Sequence, residues 1–392
     1  MSAGSRGHNR PGASHLSRTT PVVPPIYQST TFRLDDQSYE DIRTGGLKET
    51  WYSRFSNPTV DAAADQIARL ERGETGLMTA SGMAAIATTL VTLLQTGDSV
   101  VTARELYGDT HDLFARDLPR LGIEVCWVDV DDTEAWKRAG RSTGAKVFYA
   151  ECLSNPQLKL LDIPTVAAIA HESGATVVVD NTFASPHMVN PLLLGADIVL
   201  HSATKFLNGH SDVIAGCVIA NEEIIREIQR RVITFGGCLD PHAAFLVWRG
   251  LQTFQVRLAQ QTANAQMVAE FLEARGDVRR VCYPGLPSYQ WRSLAQKVLN
   301  PGCTGAMVTF VVEGGDDRAL AFMRGLRVAT EATSLGGVET LVSTPFNSSH
   351  FSLSDDERAA SGIDPGMVRL SVGLEESDEL IADIEQALDE TK

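Results

Sequence analysis

The stretch "DIVLHSATKFLNGHSD" (197–212) ends an apolar run in two hydroxyls and a lysine: Ser202, Thr204 and Lys205. Two other apolar runs end in comparable groups. "TVVV" leads into Asp180, then Asn181 and Thr182, and "KVFYA" leads into Glu151 and, shortly after, Asn155-Pro156. Singly, each has an ordinary explanation, Asp180 as a cap or turn residue and Lys205 as a solvated side chain. Jointly they are a potential nucleophile and base beside a carboxylate, because burial near positive charge lowers a lysine's pKa and frees its amine. A fourth stretch, "ASGMAAI" (80–86), sets a glycine at the start of a helix. There the first backbone N–H groups and the positive end of the helix dipole can hold a phosphate, with Ser202 and Thr204 completing the cradle. A plain helix cap would read the same way.

An anion cradle, an aspartate, a lysine and a spare aromatic such as Tyr107 together fit pyridoxal 5′-phosphate. The lysine forms the Schiff base, the aspartate keeps the pyridine nitrogen protonated, and the ring accepts carbanion electrons.

Something must bring these distant groups to one edge. Short Val- and Ile-rich runs at 98–103, 123–130, 145–151, 175–180, 196–202 and 213–220 alternate with helical segments. Apolar throughout, they suit strands buried on both faces, hence an α/β fold with a mostly parallel sheet. Ligands in such sheets gather at the carboxyl ends of the strands, where Glu151, Asp180 and Ser202 would fall. Helices are predicted over 59–72, 81–94 and much of 223–272. Strands at 306–314 and 367–374 and a final acidic helix then suggest a smaller α+β domain, with the boundary near residue 255.

A chain of 392 residues has room for two such domains. Its net charge of −15 argues against nucleic acid or an anionic membrane as a partner. No apolar run approaches the ~20 residues of a membrane span. The polar first twenty residues lack the core of a secretory signal and read as a flexible arm. Six scattered cysteines without a C-x-x-C pair suggest reduced thiols and a cytoplasmic protein. No metal site is expected, and no G-x-G-x-x-G follows an early strand, which argues against a nicotinamide-dependent oxidoreductase.

With "TTPVVPPIYQSTTF" (19–32), "YSRFSNPT" (52–59), "ASGMAA" (80–85), "LYGDT" (106–110), "VVVDNTFASP" (178–186), "HSATKFLNGHSD" (201–212), "SLGGVETL" (334–341) and "VRLSVGLEE" (368–376) in this order, the chain resembles the Cys/Met-metabolism family of pyridoxal-phosphate enzymes. That family includes cystathionine γ-synthase, cystathionine γ-lyase and methionine γ-lyase. The resemblance implies a fold-type-I, aspartate aminotransferase-like large domain (59–255) and a small α+β C-terminal domain (256–392). An N-terminal arm (1–58) would reach the neighbouring subunit's active site. Lys205 then matches the Schiff-base lysine, Asp180 the partner of the pyridine nitrogen, and Tyr107 the tyrosine stacked on the ring. Gly82 and Met83 would bind phosphate through backbone N–H, joined by Ser202 and Thr204, with Thr182 also at the cofactor and Asn155 by its phenolic oxygen. Tyr52 and Arg54 would serve the partner's phosphate, implying a homo-oligomer, a tetramer built as a dimer of dimers. Arg369, helped by Ser334, would clamp the substrate α-carboxylate, and Glu339 would also face substrate.

The implied reaction is γ-elimination from a small-molecule L-amino acid. Lys205 moves the α-proton and Tyr107 assists the leaving group; the alternative is γ-replacement by a synthase acting on an O-acyl-homoserine. Several positions depart from the family pattern. Asp109 stands where methionine γ-lyase has a cysteine, "RVITFGG" (231–237) lacks its Lys-Asp pair, and Asp112 replaces the arginine of cystathionine γ-lyase. "STPFNSSHF" (343–351) differs from the usual stretch, so that Phe346 and Asn347 are candidates to reshape the γ-pocket. These departures bear on the substrate, which a specialised γ-substituted amino acid would also satisfy, and not on the cofactor.

Overall fold

The structure is a computed structural model that describes residues 21–44, 50–348, 358 and 362–391. The arm expected over the first twenty residues lies outside this set. Each of the six apolar runs forms a strand: β2 (Ser99–Ala103), β3 (Glu124–Val128), β4 (Val147–Glu151), β5 (Thr176–Asp180), β6 (Ile198–Ser202) and β7 (Gly216–Ala220). A seventh, β1 (Thr75–Thr79), precedes them, and the sheet order is β1-β7-β6-β5-β4-β2-β3. The pairs among β2 to β6 are parallel, while β7 runs antiparallel to both β6 and β1. The sheet is therefore mostly parallel, with one reversed strand, β7, next to the β1 edge.

The helices start where the sequence supplies caps. Asn57 accepts from the Thr59 N–H ahead of helix Pro58–Leu70, and Asp132 and Asp162 cap Thr133–Thr143 and Ile163–Glu172 in the same way. Prolines at the first turns of the first and third of these are tolerated there, since those N–H groups have no partner within the helix.

The second sheet has five strands: β8 (Val278–Cys282), β9 (Met307–Val312), β10 (Thr330–Glu331), β11 (Leu341–Ser343) and β12 (Met367–Ser371), in the order β10-β11-β12-β9-β8. Helix Phe254–Glu273 serves both cores. Its Phe254 and Leu258 pack with the first sheet, whereas Ala265, Val268, Ala269 and Leu272 pack with the second. Tyr289, Ala295 and Val298 also return to the first core.

Candidate active site

Parallel pairing sets Glu151 beside Asp180 at the ends of β4 and β5, and Ser202 ends β6 next to them. The end of the sheet thus collects two carboxylates and the loop carrying Lys205. Above it opens a cavity of about 580 Å³. Its lining includes Gly82, Met83, Thr182, Ser202 and Thr204, then Tyr107, Asn155, Ser334 and Arg369, and also Lys205, Asp180 and Glu151.

Ser81 caps helix Gly82–Leu93, accepting from the Ala84 N–H at 3.1 Å. A Cβ on Gly82 would lie 2.7 Å from the Cβ of Ser202, so only glycine lets the helix start approach the end of β6 this closely. The Ser202 N–H donates to Thr182 Oγ1 at 2.8 Å, and Thr182 N–H donates to Asp180 at 2.9 Å. Thr204 Oγ1 bonds with both backbone groups of Ala215.

Lys205 Nζ donates to Ser334 Oγ at 2.8 Å. Burial, helped by the nearby Arg369 charge, lowers its pKa to about 8. The pairing depends on "SLGG": Gly336, at φ +81°, sits so close to the Phe206 backbone N that a Cβ there would approach it to 2.5 Å. Buried Arg257 donates to the carbonyls of Phe206, Leu207, Asn208 and Gly250, fixing the loop that follows the lysine.

Arg369 is 5% exposed, donating to Asn155 Oδ1 at 3.1 Å and to the Ser334 carbonyl at 3.0 Å. Its guanidinium lies 5.9 Å from the Phe183 ring centroid, and burial lowers its pKa to about 10. Its Nε is buried without a partner among the described residues. Asp180 is also buried, which raises its pKa, and among the described residues no lysine or arginine pairs with it. Glu151 is pushed well above the usual carboxylate range by burial and then by Asp180, and it accepts the Tyr107 N–H at 2.5 Å.

Tyr107 stands at the mouth, 41% exposed, and its hydroxyl donates to Asp109 at 2.7 Å. Burial and then this hydrogen bond push its pKa up to about 12.

Three predicted residues lie elsewhere in this chain. Tyr52 and Arg54 do not line the cavity; Arg54 Nη1 donates to the Ile233 carbonyl, and its guanidinium lies 5.5 Å from the Tyr52 ring centroid. Glu339 accepts a hydrogen bond from Ser211 in an adjoining hollow that shares Thr204, Ile214, Thr333 and Ser334 with the cavity. Ser348 lines the cavity, whereas Phe346 packs under Arg358, 5.6 Å from its guanidinium. The remainder of the 343–351 segment, from 349, lies outside the described residues. Asp112 pairs with Arg116 at 3.2 Å.

The sequence reading does not single out Phe183 or Ile214, whose apolar surfaces carry no chemical signal. It also passes over a buried cluster behind Asp180. Glu71 accepts from Asn181 at 2.7 Å and from Asn190 at 3.3 Å, and pairs with His201 at 2.6 Å.

The cavity has the groups that a phosphorylated pyridine aldehyde requires: N–H groups at a helix start, hydroxyls, a buried aspartate that no lysine or arginine pairs with among the described residues, and a lysine of lowered basicity. Residues 9–389 match the family described as Cys/Met metabolism PLP-dependent enzyme. The chain belongs to this family. It is a pyridoxal-phosphate-dependent enzyme. Among family members it is similar to the L-methionine gamma-lyase of Fusobacterium nucleatum subsp. polymorphum, 43% identical over 93% of both chains. The cystathionine beta-lyase of Lactococcus lactis subsp. cremoris is 41% identical, with 96% of this chain and 97% of that one covered. A crystal structure of cystathionine gamma synthase from Xanthomonas oryzae pv. oryzae superposes with a TM-score of 0.88 at 37% identity, covering 94% of this chain and 93% of that one. The fold-type-I architecture and the mostly parallel sheet expected from the family are thereby met.

Proposed function

We propose that this enzyme is a γ-lyase, removing the γ-substituent of an L-amino acid to give a 2-oxo acid and ammonia. One observation carries the reading: a lysine of lowered basicity, a guanidinium with an unpaired edge and a phenol meet in one cavity. The gamma-lyase name of one relative supports it, and the beta-lyase name of another supports elimination over replacement.

Bound pyridoxal phosphate supplies the electron sink for carbanions at Cα and Cβ. Lys205 would hold its aldehyde carbon and Asp180 its protonated ring nitrogen. The Gly82 and Met83 N–H groups and the Ser202 and Thr204 hydroxyls would hold the phosphate, with Thr182 framing them through Ser202. Asn155 would meet the phenolic oxygen, and Tyr107 would cover the ring. Arg369, steadied by Ser334 and Asn155, receives the substrate α-carboxylate as a fork. Lys205 Nζ, once free, takes the Cα proton; a pKa of about 8 leaves part of it neutral near pH 7, as a base requires. Tyr107 Oη protonates the departing γ-group, and Glu339 faces the substrate from the adjoining hollow.

The assembly we propose is a homotetramer, a dimer of dimers, in the cytoplasm. Tyr52 and Arg54, which do not line their own chain's cavity, would complete the partner's phosphate site. The chain would divide into an arm (1–58), a large domain (59–255) and a small one (256–392).

The test is 2-oxo acid release from amino acids carrying γ-thioether, ester or halide groups, with and without an added thiol. Release without thiol supports the lyase. A replacement product formed only with thiol would make the enzyme a synthase, and silence across the panel would remove the reading.

A further inference from the structure

The Tyr107 hydroxyl is committed to the carboxylate of Asp109 at 2.7 Å, and both residues line the cavity. Asp109 is exposed in the first turn of the helical run 108–120, so no packing requirement of the core explains an acid at this position. Among the described residues no lysine, arginine or histidine forms an ion pair with it. The lining holds two cations among the described residues, Lys205 and Arg369. On the reading above, both are used at the invariant end of the substrate, one at Cα and the other at the α-carboxylate.

A γ-substituent that extends toward Tyr107 therefore meets a carboxylate, and the described residues of this chain offer it no compensating positive charge. A like charge placed there is repelled, while a neutral or positively charged group is accepted. We propose that Asp109 is a specificity-determining residue: through its hydrogen bond it positions the Tyr107 hydroxyl, and it selects substrates whose γ-substituent is neutral or cationic over those ending in a carboxylate. The inference rests on the proposed placement of the α-carboxylate at Arg369.

The test uses the holoenzyme and three unreactive amino acids of similar length: L-norleucine, L-lysine and L-2-aminoadipate. Binding is read from the change in cofactor absorption. The wild type should bind L-2-aminoadipate most weakly. In Asp109→Asn, which keeps an acceptor for Tyr107 but loses the charge, the ratio of aminoadipate to norleucine dissociation constants should fall by about tenfold or more. An unchanged ratio in Asp109→Asn, or a wild type that prefers L-2-aminoadipate, overturns the inference. The γ-lyase reading fails separately, by absence of 2-oxo acid from neutral γ-substituted substrates, because these ligands report selectivity without turnover.

Discussion

Ser334 binds both reactive cations of the cavity: its hydroxyl accepts from Lys205 at 2.8 Å and its carbonyl accepts from Arg369 at 3.0 Å. It does so at φ +83°, in the left-handed region that a residue with a side chain rarely adopts. A strained residue at the meeting point of two functional groups suggests a position retained for what it holds. Ser334→Gly should lower kcat/KM, because the hydroxyl is lost. Its thermal stability should stay within about 1 kcal/mol of wild type, since relief of strain offsets the added chain entropy. Parallel melting curves and steady-state kinetics check this; a large loss of stability would contradict it.

The lowered basicity of Lys205 has a direct pH consequence. Only the neutral amine attacks an aldehyde, so uptake of pyridoxal phosphate by the apoenzyme should accelerate as pH rises through about 8 and then level off. An unshifted lysine would keep accelerating toward ~10.4. Stopped-flow absorbance of reconstitution distinguishes the two. Lys205→Ala should lose the covalent cofactor band altogether.

Gly82→Ala places a methyl group 2.7 Å from Ser202 Cβ. Forcing the helix start away from β6 should cost about 1–3 kcal/mol and weaken cofactor retention together. Denaturant unfolding and dialysis against buffer measure the two effects, and tight retention in this variant would argue against a phosphate at the helix start.

Arg369→Lys retains a charge but loses the fork. KM for the amino acid should rise by about 10- to 100-fold, on the scale of one charge-assisted hydrogen bond of about 1.5–3 kcal/mol, with a smaller fall in kcat. Steady-state kinetics decide, and an unchanged KM would place the α-carboxylate elsewhere.

The Glu71–His201 pair is almost wholly shielded from water, and Asn181 and Asn190 complete its bonding. Glu71→Ala strands these partners and should cost about 3–5 kcal/mol of stability. Chemical denaturation reads it. A loss near zero would mean that water replaces the carboxylate.

How far the sequence reached depended on side-chain type. The strands β2 to β7 are visible because they are apolar on both faces, and the groups at their ends follow from parallel topology. Strand β1, "TGLMT", escapes because a glycine and two threonines dilute its pattern; β8, "VRRVC", escapes because its arginines are exposed. In the cavity, Lys205, Asp180 and Arg369 are legible as chemistry within recognisable motifs. Glu71 is not, because its partners His201, Asn181 and Asn190 are each more than a hundred residues away and only folding brings them together. The Tyr107–Asp109 contact is close in sequence, yet a hydroxyl turned toward a neighbouring acid has no signature in letters.

Helix Phe254–Glu273 has a consequence for how a substrate is sized. Arg257 on this helix grips the loop behind Lys205, while Gln261 and Asn264, one and two turns further on, hold the carbonyls of Gly337, Val372 and Gly373 around the Arg369 strand. One rod therefore gauges the span from amine to guanidinium. Every α-amino acid presents the same interval between its Cα and its carboxylate, and a fixed gauge suits an unchanging dimension. The part of the substrate that differs from one amino acid to the next instead meets Tyr107 and Asp109, at the start of the helical run 108–120, and Ser348, at the end of the short turn Pro345–Asn347. Substrate range can thus drift by exchange of a few outer residues while the interval that the chemistry needs stays constant.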